Sequence, residues 1–171
     1  MKFHLIDKIE RIYPGKEIIA RKTLSLAEEY LADHFPIFPV MPGVLMLEAL
    51  VQAAAWLVRI EQNFSKSIVV LTEARNVRYG NFVTPGRALT VRAELINIDG
   101  GLATFKGTGA VDENQQAVQG RFILRSFNVA DIAPAAGAAD ERIIAQLKER
   151  FKLIGGPDAL EAYRETSSQS G

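Results

Sequence analysis

From Pro42 to Val58 the chain reads PGVLMLEALVQAAAWLV, a run that is apolar on every face of a helix except at Glu48 and Gln52. A helix apolar all round is a buried helix, so the rest of the chain must wrap around residues 43–60. The run approaches membrane-spanning length, but its central Glu48 and the lack of a second such run point to a core helix and no membrane span. A buried, unpaired carboxylate is costly and is expected to have a raised pKa. Proteins seldom keep one without a use for it.

The flanking sequence supplies the wrapping. Residues 3–12 and 16–24 read as strands around the turn Tyr13-Pro14-Gly15-Lys16. Ser25 and Glu28 have capping-box spacing for a short helix. A loop with three prolines follows at 34–42, and Pro42 suits the first turn of the long helix. Strands are expected over 68–79, 88–98, 102–111 and 115–127, with turns at Thr84-Pro85-Gly86, Asp99-Gly100-Gly101 and Asp112-Glu113-Asn114. The pattern is α+β: an antiparallel sheet wrapped around one long central helix. One sheet covers only part of such a helix, so a partner subunit is expected to cover more.

Residues 1–129 form this domain. The stretch 130–140 is rich in Ala, Pro and Gly and reads as a linker, 141–153 as a surface helix ended by Gly155-Gly156-Pro157, and 166–171 as a disordered tail. Twenty basic and twenty acidic residues in 171 leave no net charge, so nothing in the bulk composition points to nucleic acid. The absence of Cys excludes disulfides, thiolate zinc sites and a thiol nucleophile. Two histidines, His4 and His34, are too few for a typical His-based metal site. Asp7 and Lys8 interrupt any apolar signal core, and a cytoplasmic location is the expectation.

The chemistry-bearing residues cluster around the long helix. Glu48 and Gln52 lie one turn apart on one face, continued by Trp56. The plain alternative is that both merely reach backbone or water at a subunit interface. His34 opens the proline-rich loop, which holds it at a fixed place relative to the helix start; alone it reads more readily as a hydrogen-bonded structural residue. Gly43 puts a free backbone N–H at the helix N-terminus, where negative charge is favoured, though Pro42-Gly43 also serves simple helix entry. Together these parts fit removal of a proton alpha to a carbonyl by His34, stabilisation of the resulting oxyanion by Gly43, and protonation of a leaving β-hydroxyl by Glu48. That is β-elimination of water.

His34-Phe35-Pro36-x-x-Pro39-Val40-Met41-Pro42-Gly43-Val44-Leu45-x-x-Glu48-Ala49-x-x-Gln52 closely resembles the signature of the β-hydroxyacyl-acyl carrier protein dehydratases of the FabZ type, including the 14-residue step from His34 to Glu48. Weaker resemblance covers roughly residues 3–127. It implies a hot-dog fold and a homo-oligomer, a dimer or a hexameric trimer of dimers. It also implies a site shared between subunits, with the His from one chain and the Glu from the other. The implied reaction belongs to fatty-acid biosynthesis: a (3R)-hydroxyacyl group on the phosphopantetheine arm of acyl carrier protein becomes the trans-2-enoyl thioester, without metal or cofactor. Glu at 48, where the isomerising FabA-type branch carries Asp, implies plain dehydration. Carried onto this chain, His34 and Glu48 are catalytic, and Gly43, Val44, Gln52, Ile37 and Phe38 line the oxyanion and substrate site. Acyl carrier protein is acidic, so Arg75, Arg78, Arg121 and Arg125 are candidates for its docking rim; any single one reads more readily as a solvated strand residue. This chain has Ile37 where the family usually has Gly, Phe38 where it often has His, Asp33 for Gly and Arg87 for Asp. A β-branched residue resists positive φ, and Ile37 is expected to narrow the acyl tunnel. Two other readings use the same fold: a hot-dog thioesterase, against which the His-Phe-Pro loop argues, and a non-catalytic acyl-thioester-binding protein.

Overall fold

The computed structural model describes residues 3–34, 37–112 and 114–168. Residues 1 and 2, Phe35 and Pro36 of the proline loop, Glu113 of the 112–114 turn and the tail 169–171 lie outside the described residues. Strands β1 (Lys8–Tyr13), β2 (Glu17–Thr23), β3 (Ile68–Tyr79), β4 (Ala88–Asp99), β5 (Leu102–Val111) and β6 (Gln115–Phe127) form one antiparallel sheet in the order β1-β2-β4-β5-β6-β3. Helices are α1 (Tyr30–Asp33), α2 (Gly43–Glu61), α3 (Gly137–Leu153) and α4 (Gly156–Ser168). The sheet wraps α2, as the sequence predicts.

Alternation along the strands aims one face at the helix. Leu89, Val91 and Ala93 on β4, Ala103 and Phe105 on β5, and Phe122 and Leu124 on β6 are all buried. The rings of Phe105 and Phe122 stack with centroids 5.6 Å apart. Each such large side chain contributes about 1.5–3 kcal/mol relative to exposure. The β4–β5 turn needs two residues at positive φ, which Gly100 and Gly101 supply at 54° and 80°. Register shifts in the β3–β6 pairing, with Asn76 at φ 54°, bend the sheet around the helix.

The burial of α2 differs from the expectation in one respect. From Ala53 to Val58 every residue is buried. In the first half Val44 is 68% exposed and Leu45, Leu47 and Glu48 are only half-buried. A single sheet reaches one side of the helix there, so the fully buried Glu48 read from the sequence is not buried within one chain.

The Ser25 capping box does not form either. Ser25 Oγ accepts from the N–H of Ala27, and Glu28 turns instead to Lys22, whose Nζ lies 2.6 Å from its carboxylate and 3.3 Å from that of Asp7. Lys22 is buried, and a buried ammonium needs such partners; that need outweighs a cap. The short helix starts later, at Tyr30.

The stretch 130–140 is not an extended linker. Two 3-10 turns occupy Val129–Asp131 and Pro134–Ala136, and α3 begins at Gly137. Buried Asp140 organises them, accepting from Ser67 Oγ and from the N–H groups of Val129 and Ala130. The surface helix has a buried edge: Phe151 packs on Trp56 and Phe64, with centroids 5.7 and 5.5 Å apart. Gly155-Gly156-Pro157 ends α3 as expected, but the sequence reading has no second helix after it. α4 lies on β1, where Tyr163 meets Tyr13 edge-on and Ala159 is buried, and residues 166–168 belong to it. The carbonyl of Ile154 takes the N–H of Ile9. At the opposite end of the sheet β3 pairs only with β6 and carries exposed Val70 and Leu71.

The hydroxyl of Ser67, then the two backbone N–H groups, hold the Asp140 carboxyl below its usual pKa. A depressed folded pKa contributes stability above the ordinary carboxylate range and loses it as the pH falls through the depressed value. Acid is therefore expected to loosen residues 129–153 before the sheet, seen as faster amide exchange there than in β4 and β5. In Asp140→Ala that segment should exchange fast at neutral pH as well, and equal protection at all pH values would refute the anchor.

Candidate active site

Glu48 looks into a cleft of about 260 Å³ bounded by the N-terminal segment, α2 and α3. Phe3, His4 and Ile6 form one wall, Val51, Gln52, Ala55 and Trp56 the floor, and Leu147 and Ile154 the far side. Gln52 organises its polar end. Its Nε2 donates to Glu48 Oε1 at 2.9 Å and to the carbonyl of Phe3 at 3.0 Å, and its Oε1 accepts the N–H of Leu5 at 2.9 Å. The i,i+4 spacing that puts Gln52 beside Glu48 is legible in sequence. The tie to Phe3 and Leu5 is not, because it spans 47 residues or more. Glu48 is therefore not unpaired: one oxygen is held toward Gln52, and the carboxylate has a fixed orientation.

His34 caps α1, its N–H donating to the carbonyl of Tyr30 at 3.2 Å. It is not among the residues lining the Glu48 cleft. One chain thus does not bring the two expected catalytic side chains into one cavity. His4, the other histidine, does line that cleft; nothing in the local sequence pattern marks it.

At the start of α2 the carbonyl of Pro42 accepts the N–H groups of Leu45 and Met46. The first N–H groups of the helix, those of Gly43 and Val44, are the ones an intrahelical ladder leaves unspent. A Cβ at Gly43 would sit 3.0 Å from the ring of Tyr79, so glycine here lets the end of β3 close on the helix start. Around it the surface is apolar: Phe38, Val44, Tyr79 and Phe82 are all exposed, with Phe38 and Phe82 in edge contact at 5.7 Å. Exposed apolar clusters of this kind mark binding surfaces. Ile37 is fully exposed, with its backbone outside the left-handed region. Within one chain it narrows no cavity, because its side chain projects away from the protein. Arg87, where the family usually has Asp, pairs with Asp112 at 2.5 Å.

Of the four candidate docking arginines, Arg78 and Arg121 share a shallow depression of about 320 Å³ with Lys106 on the outer face of the sheet. Arg75 is in register with Arg121 and pairs with Glu73. Arg125 lies further along β6, over the ring of Phe127 at 5.7 Å. Lys106 was not singled out from sequence, though a cross-strand register with Arg121 makes it part of the patch. Among the described residues no three His, Cys, Asp or Glu side chains come together as a metal-binding group.

Residues 1–120 match the FabA-like domain, and the chain belongs to that family. Within it the chain is similar to the FabZ dehydratases. The 3-hydroxyacyl-[acyl-carrier-protein] dehydratase FabZ of Clostridium kluyveri is 36% identical over 115 residues, which cover 67% of this chain and 80% of that protein. The FabZ of Janthinobacterium sp. (strain Marseille) is 35% identical over 136 residues, covering 78% and 86%. Among solved structures, the dehydratase heterocomplex ApeI:P from Xenorhabdus doucetiae aligns with a TM-score of 0.62 at 20% identity, over 78% of this chain and 90% of that one. A mutant thioesterase PA1618 from Pseudomonas aeruginosa aligns at 0.55 and 13% identity, over 70% and 79%. These structural likenesses establish the hot-dog fold alone.

Replacing Gln52 with Leu strands the N–H of Leu5 and the carbonyl of Phe3 and frees Glu48. We expect a loss of about 1–3 kcal/mol in urea unfolding and a fall in kcat larger than any rise in KM. A stable Gln52→Leu variant with normal kcat would show that Glu48 needs no such support.

Proposed function

We propose that this chain dehydrates (3R)-hydroxyacyl groups on acyl carrier protein to trans-2-enoyl thioesters in fatty-acid biosynthesis, with His34 of one subunit and Glu48 of another at each site. The observation that carries the reading is the incompletely covered N-terminal half of α2, where Gln52 holds the Glu48 carboxylate in the wall of a cleft. The sequence relatives carry dehydratase names, whereas the thioesterase likeness is one of fold.

The chemistry runs as an elimination. The imidazole of His34 takes the proton from C2, and the electrons move onto the thioester oxygen, which the N–H of Gly43 at the positive end of α2 stabilises. The C2–C3 double bond then forms as the C3–O bond breaks, and Glu48 gives its proton to the departing hydroxyl, releasing water. His34 ends protonated and Glu48 ionised, so a proton passed back between them resets the site.

A second copy supplies what one chain lacks. β3 presents a 12-residue edge with no further strand beside it among the described residues, and such edges are open to pairing. Pairing there would cover Val70 and Leu71 and bring the Phe38–Phe82 cluster against the partner. Ile37, exposed at its margin, would then meet the acyl chain. The basic depression of Arg78, Lys106 and Arg121 is the docking surface proposed for the acidic carrier, with Arg75 and Arg125 beside it. A soluble, cytoplasmic enzyme is the setting this assigns; among the described residues α2 alone has the length and hydropathy of a membrane span, and 56% of it is buried inside the protein.

Hydration of a crotonoyl thioester, followed as loss of enoyl absorbance, tests the activity. His34→Ala and isosteric Glu48→Gln should each lower the rate by about 10²–10⁴-fold with unfolding unchanged, and normal turnover in either removes that residue from the mechanism.

Mixing the two inactive variants tests the shared site. After refolding together, His34→Ala and Glu48→Gln chains should recover about one quarter of wild-type activity, because half the dimers are mixed and each has one intact site. No recovery would put both residues in one chain's site.

A further inference from the structure

The cleft that receives Glu48 is closed by residues outside the family domain. Leu147, Arg150 and Ile154 line it, whereas the FabA-like match ends at residue 120. On α2 the lining residues Glu48, Val51, Gln52, Ala55, Trp56 and Arg59 recur at helical spacing along one face. At 1.5 Å per residue, Glu48 and Arg59 stand about 16 Å apart along the axis. The cleft is thus a slot with a carboxylate at one end and a guanidinium at the other.

Arg59 lies over the Trp56 ring at 5.0 Å, and Trp56 in turn meets Phe151. Arg150, next to Phe151 on α3, also lines the slot. Neither arginine forms an ion pair among the described residues. Glu48 is the one carboxylate among the lining residues. The Nε of Arg59 is buried without a hydrogen-bond partner among the described residues, and burial pushes its pKa down to about 10. A desolvated guanidinium left unpaired is costly, and an arriving anion relieves that cost with charge-assisted hydrogen bonds. Between the two ends the walls are Val51, Ala55, Leu147 and Ile154, which suit methylene groups.

We propose that this slot holds the acyl chain of the substrate and that Arg59 and Arg150 together bind a carboxylate at its far end, so that the substrates are thioesters of linear acyl chains ending in a second carboxylate. The assignment rests on the dehydratase reading for Glu48. At about 260 Å³ the slot has room for an unbranched chain. The extension after residue 129 then has a role: α3 is the lid that makes the end of the slot and brings one of its two cations.

The test compares carrier-linked (3R)-hydroxyacyl chains of equal length ending in a methyl or a carboxylate, using the full chain. The carboxylate-ended substrate is expected to have a kcat/KM about tenfold or more above its methyl-ended counterpart. Arg150→Gln, and separately Arg59→Gln, should erase that ratio mainly through KM. Equal kcat/KM for both ends in the wild type overturns the proposal. So does an Arg150→Gln enzyme slowed equally on both, which would put the arginines on the phosphate of the carrier arm that the two substrates share. Turnover of neither substrate counts against the dehydratase reading, and suberate, a linear dicarboxylate, then decides the slot on its own. A rise in wild-type Tm with suberate that is lost in Arg150→Gln upholds it, and no rise overturns it.

Discussion

A 19-residue apolar helix presents more surface than one six-stranded sheet can cover. The rest of the structure follows from how that excess is handled. The second half of α2 is closed by the sheet on one side and by Phe151 of α3 on another. The first half is left partly open, and the two polar residues within its apolar run, Glu48 and Gln52, fall where the N-terminal segment supplies the cover. A carboxylate deeper in the helix would face strand side chains with no donor to meet it. Here it has Gln52 on one side and an opening on the other.

Gln52 shows how a site is held in place with few atoms. Its amide spends both its donor and its acceptor on neighbours: two backbone groups of residues 3 and 5, and Glu48. The N-terminal segment thereby becomes a wall of the cleft, and the carboxylate loses freedom to rotate. A substrate at the proposed site would meet a carboxylate already oriented, with little ordering left to be done at binding.

What could be read from the sequence was whatever obeys a short period or a local turn rule. The long helix, the strand bounds over 68–79, 102–111 and 115–127, and the turns at Gly15, Gly86 and Gly100-Gly101 are all of that kind. Glu28 misled because its capping spacing is local while its true partner, Lys22, is a buried charge on β2 whose need is seen only once the strand is placed. α4 was missed because Gly155-Gly156-Pro157 reads as a stop, and a stop signal does not exclude a new helix one residue later. The stretch 130–140 looked like a linker by composition, yet Asp140 gathers its backbone N–H groups from Val129 and Ala130. His34 and Glu48 were singled out by spacing and chemistry, and one chain leaves them in separate surroundings, which the proposed two-chain site would reunite.

The two edges of the sheet are treated unequally. At β1 the carbonyl of Ile154 takes the N–H of Ile9 and α4 lies alongside, so that margin is occupied by the chain itself. At β3 the margin has no further strand beside it among the described residues. A sheet with two bare margins can grow without limit, each added copy offering a fresh one, as in a fibre. A sheet with one can join a single like edge and is then finished. The C-terminal helices therefore leave the sheet one open margin, so that the pairing proposed at β3 would close after a single two-fold step.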